Sequence, residues 1–393
     1  MAAMALESVA QAIQGLGSTR VKIDTGAFSL HYRATTTVFV AFGGLLYTTG
    51  LMVDPLQCQP AAGSDGASTP VINAFCWSAG TYSLKPTDGT TEESGIPHGR
   101  RHSYYSWAAL LLIVQGLLFY LPHWIWNALE GRTIASIVQD TSNRMFDQQR
   151  QPLCLANVTQ YFRRTRGQHQ AYLSFYVACE ALNFVNVISS LFLMDAYLGG
   201  GFLGYGARVV SHRWVEDQPG PMEEQFPKMT GCRVTLPAAD GSDRATTDTI
   251  CVLTLNALYE KVYLLLWFWL IILSVISGCS LLWRLVTMPI PQLRVAALSR
   301  RAPLAHPDDL RDLSDALGLG DLFVLSLVAE NVDSGAFQRL AYELADDTDW
   351  PASPSERNPS GPTPISDGPC AFKRPDSSSG VFKRPDSTVT PAK

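Results

Sequence analysis

Four long runs of apolar residues divide the chain. Residues 34–53 carry no charged side chain and stop at Asp54-Pro55. Residues 103–129 carry none either, and residues 262–283 read VYLLLWFWLIILSVISGCSLLW. Residues 171–194 hold one charge, Glu180, together with Asn183 and Asn186. A bilayer core of about 30 Å needs roughly 20 apolar residues of helix. Each run meets that length, which buried helices of soluble proteins seldom do without a charge. The pattern therefore predicts an all-α membrane protein with a bundle of four spans. In the third span the polar groups are expected to face neighbouring helices rather than lipid.

Four spans put both termini on one side, and the connecting segments say which. Residues 1–33 carry three Lys/Arg, residues 130–170 carry six against three acids, and residues 284–303 carry four and no acid. The loops 54–102 and 195–261 together hold nine Lys/Arg and 14 acids. This bias predicts cytosolic termini, a cytosolic middle loop and two extracellular loops in the plasma membrane. Tyr104, Tyr105, Trp107, Trp124, Trp126 and Trp283 lie at span ends, as in an interfacial aromatic belt contacting lipid. The first apolar run starts too late for a cleavable signal peptide. A net charge of −5 with no domain-sized basic stretch does not suggest nucleic acid, and no such partner is expected.

Eight cysteines are spread along the chain. Cys58 and Cys76 fall in the first outer loop, and Cys232 and Cys251 in the second. Thiols oxidise outside the cell and stay reduced in the cytosol. Two in each outer loop therefore predict two disulfides, in agreement with the orientation drawn from charge.

Several segments carry a family resemblance. VKIDTGAFSLHYRAT from Val21 resembles the innexin segment leading into the first span, and INAFCW at 72–77 resembles that family's second loop cysteine and its tryptophan. YYSWA at 104–108 is similar to the family signature YYQWV, with Ser106 for Gln and Ala108 for Val. QGLLFYLPHWIWNALEG, CEALNFVNVISSLFLMDAYLGG, FPKMTGC, CVLTLNALYEKVYLLLWFW and GDLFVLSLVAENVD continue the likeness, which runs from about Val21 to Leu344. The resemblance implies a gap-junction channel subunit, assembled with itself or with other innexins in a ring of eight. It implies docking onto the hemichannel of an adjacent cell, passage of ions and small molecules, and undocked hemichannels as well. Two alternatives stand beside it: a release channel that never docks, as in the related pannexins, and a four-span adhesion protein without a pore. The one usable N-x-[ST] sequon, at Asn157, lies in the middle loop, so no glycan is expected to obstruct docking.

Four loop cysteines allow three pairings. Cys58 and Cys251 lie near the first and fourth spans, and Cys76 and Cys232 lie further from them. If the loops run antiparallel, equal depths meet as Cys58–Cys251 and Cys76–Cys232. The resemblance implies the same cross-loop pattern.

No catalytic or cofactor motif is present. Gly199, Gly201 and Gly204 satisfy G-x-G-x-x-G, but a dinucleotide site needs that motif between a strand and a helix. Following a span, these glycines are expected to turn the chain. The seven histidines show no metal-ligand spacing, so neither an enzyme nor a metal site is expected. Pro122 removes one backbone donor from the second span and predicts a helix kink.

Residues 1–16 place Leu6, Val9, Ala10, Ile13 and Leu16 at helical spacing. Such a helix either folds into the pore or lies on the membrane surface. The resemblance points to the pore, with Ala2, Leu6, Glu7 and Val9 lining it. Residues 284–349 read as a cytosolic helical region. Residues 350–393 are Pro/Ser-rich and predict a disordered tail. FKRPDS occurs there twice, placing an Arg three residues before each of Ser377 and Ser387, as basic-directed kinases prefer.

Overall fold

The computed structural model describes residues 21–60, 69–84, 98–138, 151–212, 220–236 and 245–346. The N-terminal positions Ala2, Leu6, Glu7 and Val9 and the tail serines Ser377 and Ser387 lie outside the described residues. Among the described residues four helices are long and apolar enough to cross a membrane: Gly26–Met52, Ala108–Glu130, Gln170–Tyr197 and Asn256–Thr287. They are called the first to fourth spans below. The chain forms two compact units. One holds most of the four spans and the loops between their ends; the other holds residues 126–177 and 283–346 with the lead-in 21–25.

In the first unit the spans pack through small residues. A Cβ at Gly43 would meet Ile113 Cγ1 at 2.7 Å and the Ala109 carbonyl at 3.0 Å. One at Gly116 would meet Phe39 Cβ and Val40 Cγ2 at 3.1 Å. Without a hydrophobic drive between helices in lipid, such close approach is what holds spans together. Phe39 packs against Phe119, the ring centroids 5.3 Å apart and the planes tilted by 53°. Pro122 lies inside the unbroken second helix.

The first span contains a π-helical turn, Leu30–Thr35, between two α-helical segments. Such a turn leaves main-chain carbonyls poorly served. Here side chains serve them. The Thr35 hydroxyl donates to Leu30 O at 3.0 Å, and the Thr36 hydroxyl lies 3.4 Å from His31 O and 3.1 Å from Gly116 O on the second span. Trp269 of the fourth span donates its indole N–H to Thr35 Oγ1 at 3.0 Å.

The two loops of this unit share one five-stranded antiparallel sheet, to which the sequence reading assigned no regular structure. The strands are β1 (Gln57–Pro60), β2 (Thr81–Leu84), β3 (His98–His102), β4 (Met229–Leu236) and β5 (Ala245–Val252), in the order β1-β5-β4-β2-β3. The β4–β5 hairpin of the second loop lies in the middle. The first loop covers one edge with β1 and the other with β2 and β3, and contributes the helix Thr69–Ala79.

In the second unit, four helices follow the fourth span: Pro291–Arg301, Pro307–Ala316, Leu319–Asn331 and Ser334–Ala345. The Leu319–Asn331 helix is buried nearly all round, from Gly320 to Ala329. Asp321 anchors it. Its carboxylate pairs with His169 Nδ1 at 2.6 Å and accepts from the Gly167 N–H at 2.7 Å. Burial would raise the Asp321 pKa, but these hydrogen bonds outweigh it and hold the carboxyl below its ordinary value.

Substitution at the glycine contacts tests the span packing. Gly43→Ala should lower the thermal midpoint of the purified channel, because overpacking typically costs about 1–3 kcal/mol. Gly44→Ala, where no atom lies within 4 Å, should leave it unchanged. Equal midpoints for the two variants would refute the close approach at Gly43.

Candidate functional site

The loop sheet is fixed by two disulfides that each join one loop to the other. Cys58 on β1 and Cys251 on β5 are register partners across the strand pair and are bonded, with Cα atoms 4.0 Å apart. Cys76, on the Thr69–Ala79 helix, is bonded to Cys232 on β4, with Cα atoms 6.0 Å apart. All four cysteines are buried. The INAFCW segment forms the end of that helix. Asn73 Oδ1 accepts from the Cys58 N–H at 2.9 Å, Ile72 is buried, and Trp77 packs on Tyr105 at 4.6 Å.

The two bridges are neighbours. The sulfurs of Cys58, Cys76 and Cys251 all lie within 4.8 Å of one another. Three clustered cysteine sulfurs could suggest a metal site, but each is already spent in a disulfide. Thr249 sits between the bridges, donating its hydroxyl to Cys232 O at 3.0 Å.

Beneath the sheet lies a cluster of aromatic rings. Tyr104 meets Tyr105, Phe226 and Tyr259 edge to face at 5.8, 5.6 and 6.1 Å. Phe202, Tyr205 and Tyr263 extend the cluster. Their hydroxyls reach main-chain carbonyls: Tyr105 to Cys76, Tyr197 to Tyr104, Tyr259 to Tyr105 and Tyr205 to Glu260. The two positions at which YYSWA departs from its signature are accommodated differently. Ser106 is exposed and bonds Ser103 O, whereas Ala108 is fully buried. On β3, burial, and secondarily the charge of Arg100, push the His102 imidazole down to about 4, so it stays neutral at physiological pH.

The glycine-rich turn after the third span is made of three consecutive positive-φ residues, Gly199 (75°), Gly200 (92°) and Gly201 (88°). Its carbonyls face cations. Arg100 donates to Leu198 O and Gly200 O, and Arg208 donates to Gly201 O at 2.6 Å. A phosphate cradle presents N–H groups instead, so the polarity here is the reverse of a nucleotide site. The turn fastens the third span to β3.

Within the spans, Glu180 is 3% exposed and accepts from the Ser280 hydroxyl of the fourth span at 2.8 Å. Asn183 is 1% exposed, and neither of its amide atoms has a hydrogen-bond partner among the described residues. Asn186 is half-buried. Glu180 thus lies at a helix interface. On the first span, Arg33, Thr37, Ala41 and Thr48 are exposed along one stripe with Gly44 between them. The Thr37 and Thr48 hydroxyls bond carbonyls of their own helix, Arg33 O at 2.7 Å and Gly44 O at 2.9 Å.

The family model described as "Innexin" matches residues 24–348, taking in the spans, both disulfides and the C-terminal helices. The chain belongs to the innexin family. It is similar to innexin inx2 of Schistocerca americana, 34% identical over 342 residues, 83% of this chain and 93% of that one. Innexin inx3 of Drosophila melanogaster is 34% identical over 340 residues, 82% of this chain and 84% of that one. Innexin shaking-B of the same organism is 30% identical over 341 residues, 83% and 91%. This innexin is a gap-junction channel subunit, a multi-pass membrane protein. The adhesion protein without a pore is thereby set aside.

The closeness of the two bridges has a chemical consequence. In Cys232→Ala the freed Cys76 thiolate is within reach of the remaining bridge. Attack on Cys251 would form Cys76–Cys251 and release Cys58 as thiolate; attack on Cys58 would release Cys251. Peptide mapping without reduction should find such mispaired peptides in Cys232→Ala. The double variant Cys76→Ala/Cys232→Ala should retain Cys58–Cys251 alone. A single variant with only the Cys58–Cys251 peptide would contradict the exchange.

Proposed function

We propose that this innexin forms a ring, octameric as the family resemblance implies, whose disulfide-locked sheet is the docking face toward the adjacent cell. The observation that carries this reading is the interleaving of both loops in one sheet with two buried cross-loop disulfides. Disulfides persist in an oxidising compartment, so the sheet is extracellular, and the termini and the helices after the fourth span are cytosolic. The Lys/Arg bias supports the same orientation. A rigid face also suits docking, because less ordering remains to be lost on contact. Homomeric rings and mixed rings with other innexins are both accommodated, as are open hemichannels before docking.

The conduction pathway runs along the Arg33–Thr37–Ala41–Gly44–Thr48 stripe of the first span and the N-terminal segment. Beyond Arg33 the stripe is small or hydroxyl-bearing, where the other exposed faces of the spans carry Leu, Val, Phe and Trp. In the N-terminal segment Glu7 is the only charge before Arg20. A ring of Glu7 carboxylates favours cations, as acidic rings do in cation channels. Phosphate on Ser377 and Ser387 would offset the basic charge of the tail repeats and tune gating.

Paired expressing cells are the test. Junctional current and dye transfer should appear, and Glu7→Lys should shift the reversal potential toward that of anions. Large-molecule uptake into single cells without any junctional current would instead establish a channel that never docks. An unmoved reversal potential would remove Glu7 from the pathway.

A further inference from the structure

The five residues that lead into the first span are held through their main chain. The Lys22 N–H donates to Asn331 Oδ1 at 2.6 Å, and Asn331 Nδ2 donates back to Lys22 O at 2.7 Å. The next carbonyl, Ile23 O, accepts from the Trp126 indole at 3.0 Å. The Thr25 N–H donates to the Tyr176 hydroxyl at 3.2 Å, which in turn donates to Thr25 Oγ1 at 3.1 Å. Three side chains thus hold three of the five residues, Lys22, Ile23 and Thr25, without using the Lys22 side chain at all.

The clamp itself is rigid. Tyr176 packs on Trp126 at 4.9 Å and on Phe323 at 4.8 Å, and the Arg284 guanidinium lies 4.7 Å over its ring. Phe323 and Asn331 belong to the same buried helix, Leu319–Asn331. Asn331 Nδ2 makes a second bond, to Leu327 O at 2.8 Å, which fixes its rotamer against its own helix. The residue type is specified by this arrangement. One oxygen must accept and one nitrogen must donate, to the two main-chain groups of one residue. Aspartate supplies only the acceptor, alanine supplies neither, and glutamine is a methylene too long.

We propose that Asn331 is a positioning residue for ion conduction: by bonding both main-chain groups of Lys22 it fixes the main chain from which the N-terminal segment departs. The C-terminal helical region thereby governs the pore through one amide rather than through a separate gate. This rests on the reading of the N-terminal segment as pore-lining.

The test is a mutant cycle read in single channels of the full-length protein, so that surface number does not enter. Glu7→Lys is measured alone and together with Asn331→Ala. In the unaltered background Glu7→Lys shifts the reversal potential. With Asn331→Ala that shift should be lost or strongly reduced, and the unitary conductance should change. Asn331→Asp, nearly isosteric and retaining the acceptor, should give an intermediate effect and guards against misfolding of the alanine variant. A Glu7→Lys shift of equal size in all three backgrounds, with unitary conductance unchanged, would overturn the proposal even if fewer channels reached the surface. A silent Glu7→Lys in the unaltered channel would overturn the pore-lining reading itself, and the positioning role with it.

Discussion

Main-chain pairing of β1 with β5 and of β2 with β4 forces the two loops to fold as one object. A lone hairpin such as β4–β5 is marginal in water and exposes two unpaired edges. Here the first loop supplies strands for both edges, so neither loop has a stable structure without the other. The disulfides follow from that pairing. Cys58 and Cys251 meet because they are opposite in register, and Cys76 meets Cys232 because the Thr69–Ala79 helix packs on β4. Cross-linking then restricts the unfolded chain over sequence separations of 193 and 156 residues, where loop-closure entropy is largest.

This sheet has to be joined to four helices that emerge from lipid, and the aromatic cluster is the joint. Tyrosine suits the place because its ring is apolar and its hydroxyl can donate a further hydrogen bond to a main-chain carbonyl. Tyr105, Tyr197, Tyr205 and Tyr259 all do so. The glycine turn and Arg100 make the second joint, between the third span and β3. Movement of a span end is therefore transmitted to the sheet through packed rings and charged hydrogen bonds rather than through slack loops.

The spans were legible because bilayer thickness imposes a length that few other constraints produce. The loop cysteines announced their oxidation by their placement, and the glycine run announced a turn. The sheet was not legible. Its strands β1 and β2 have four residues each, too short for an alternation to register, and their partners lie far away in sequence. The start of the first helix at Gly26 was hidden for another reason. Its polar residues, His31, Arg33, Thr35 and Thr36, read as the end of a membrane run until Trp269 and Gly116 are seen to take up the threonine hydroxyls. Asn331 left no signal, since it recognises main chain that every sequence supplies.

The π-helical turn and the polar stripe of the first span belong to one solution. An α-helix with hydroxyls on its outward face must also bury an opposite face against its neighbours, and each face recurs every 3.6 residues. Inserting the wider turn at Leu30–Thr35 resets that phase. His31, Thr35 and Phe39 then turn inward, toward Phe119 and Trp269, while Arg33, Thr37 and Ala41 remain outward. The turn persists because its carbonyls Leu30 O and His31 O are met by the Thr35 and Thr36 hydroxyls, which are in turn held by Trp269 of the fourth span and Gly116 O of the second. Removing the Trp269 indole would leave the Thr35 hydroxyl with a donor role alone. It would weaken the reset at the level where the stripe begins, which ties the outward face of the first span to a residue that never faces it.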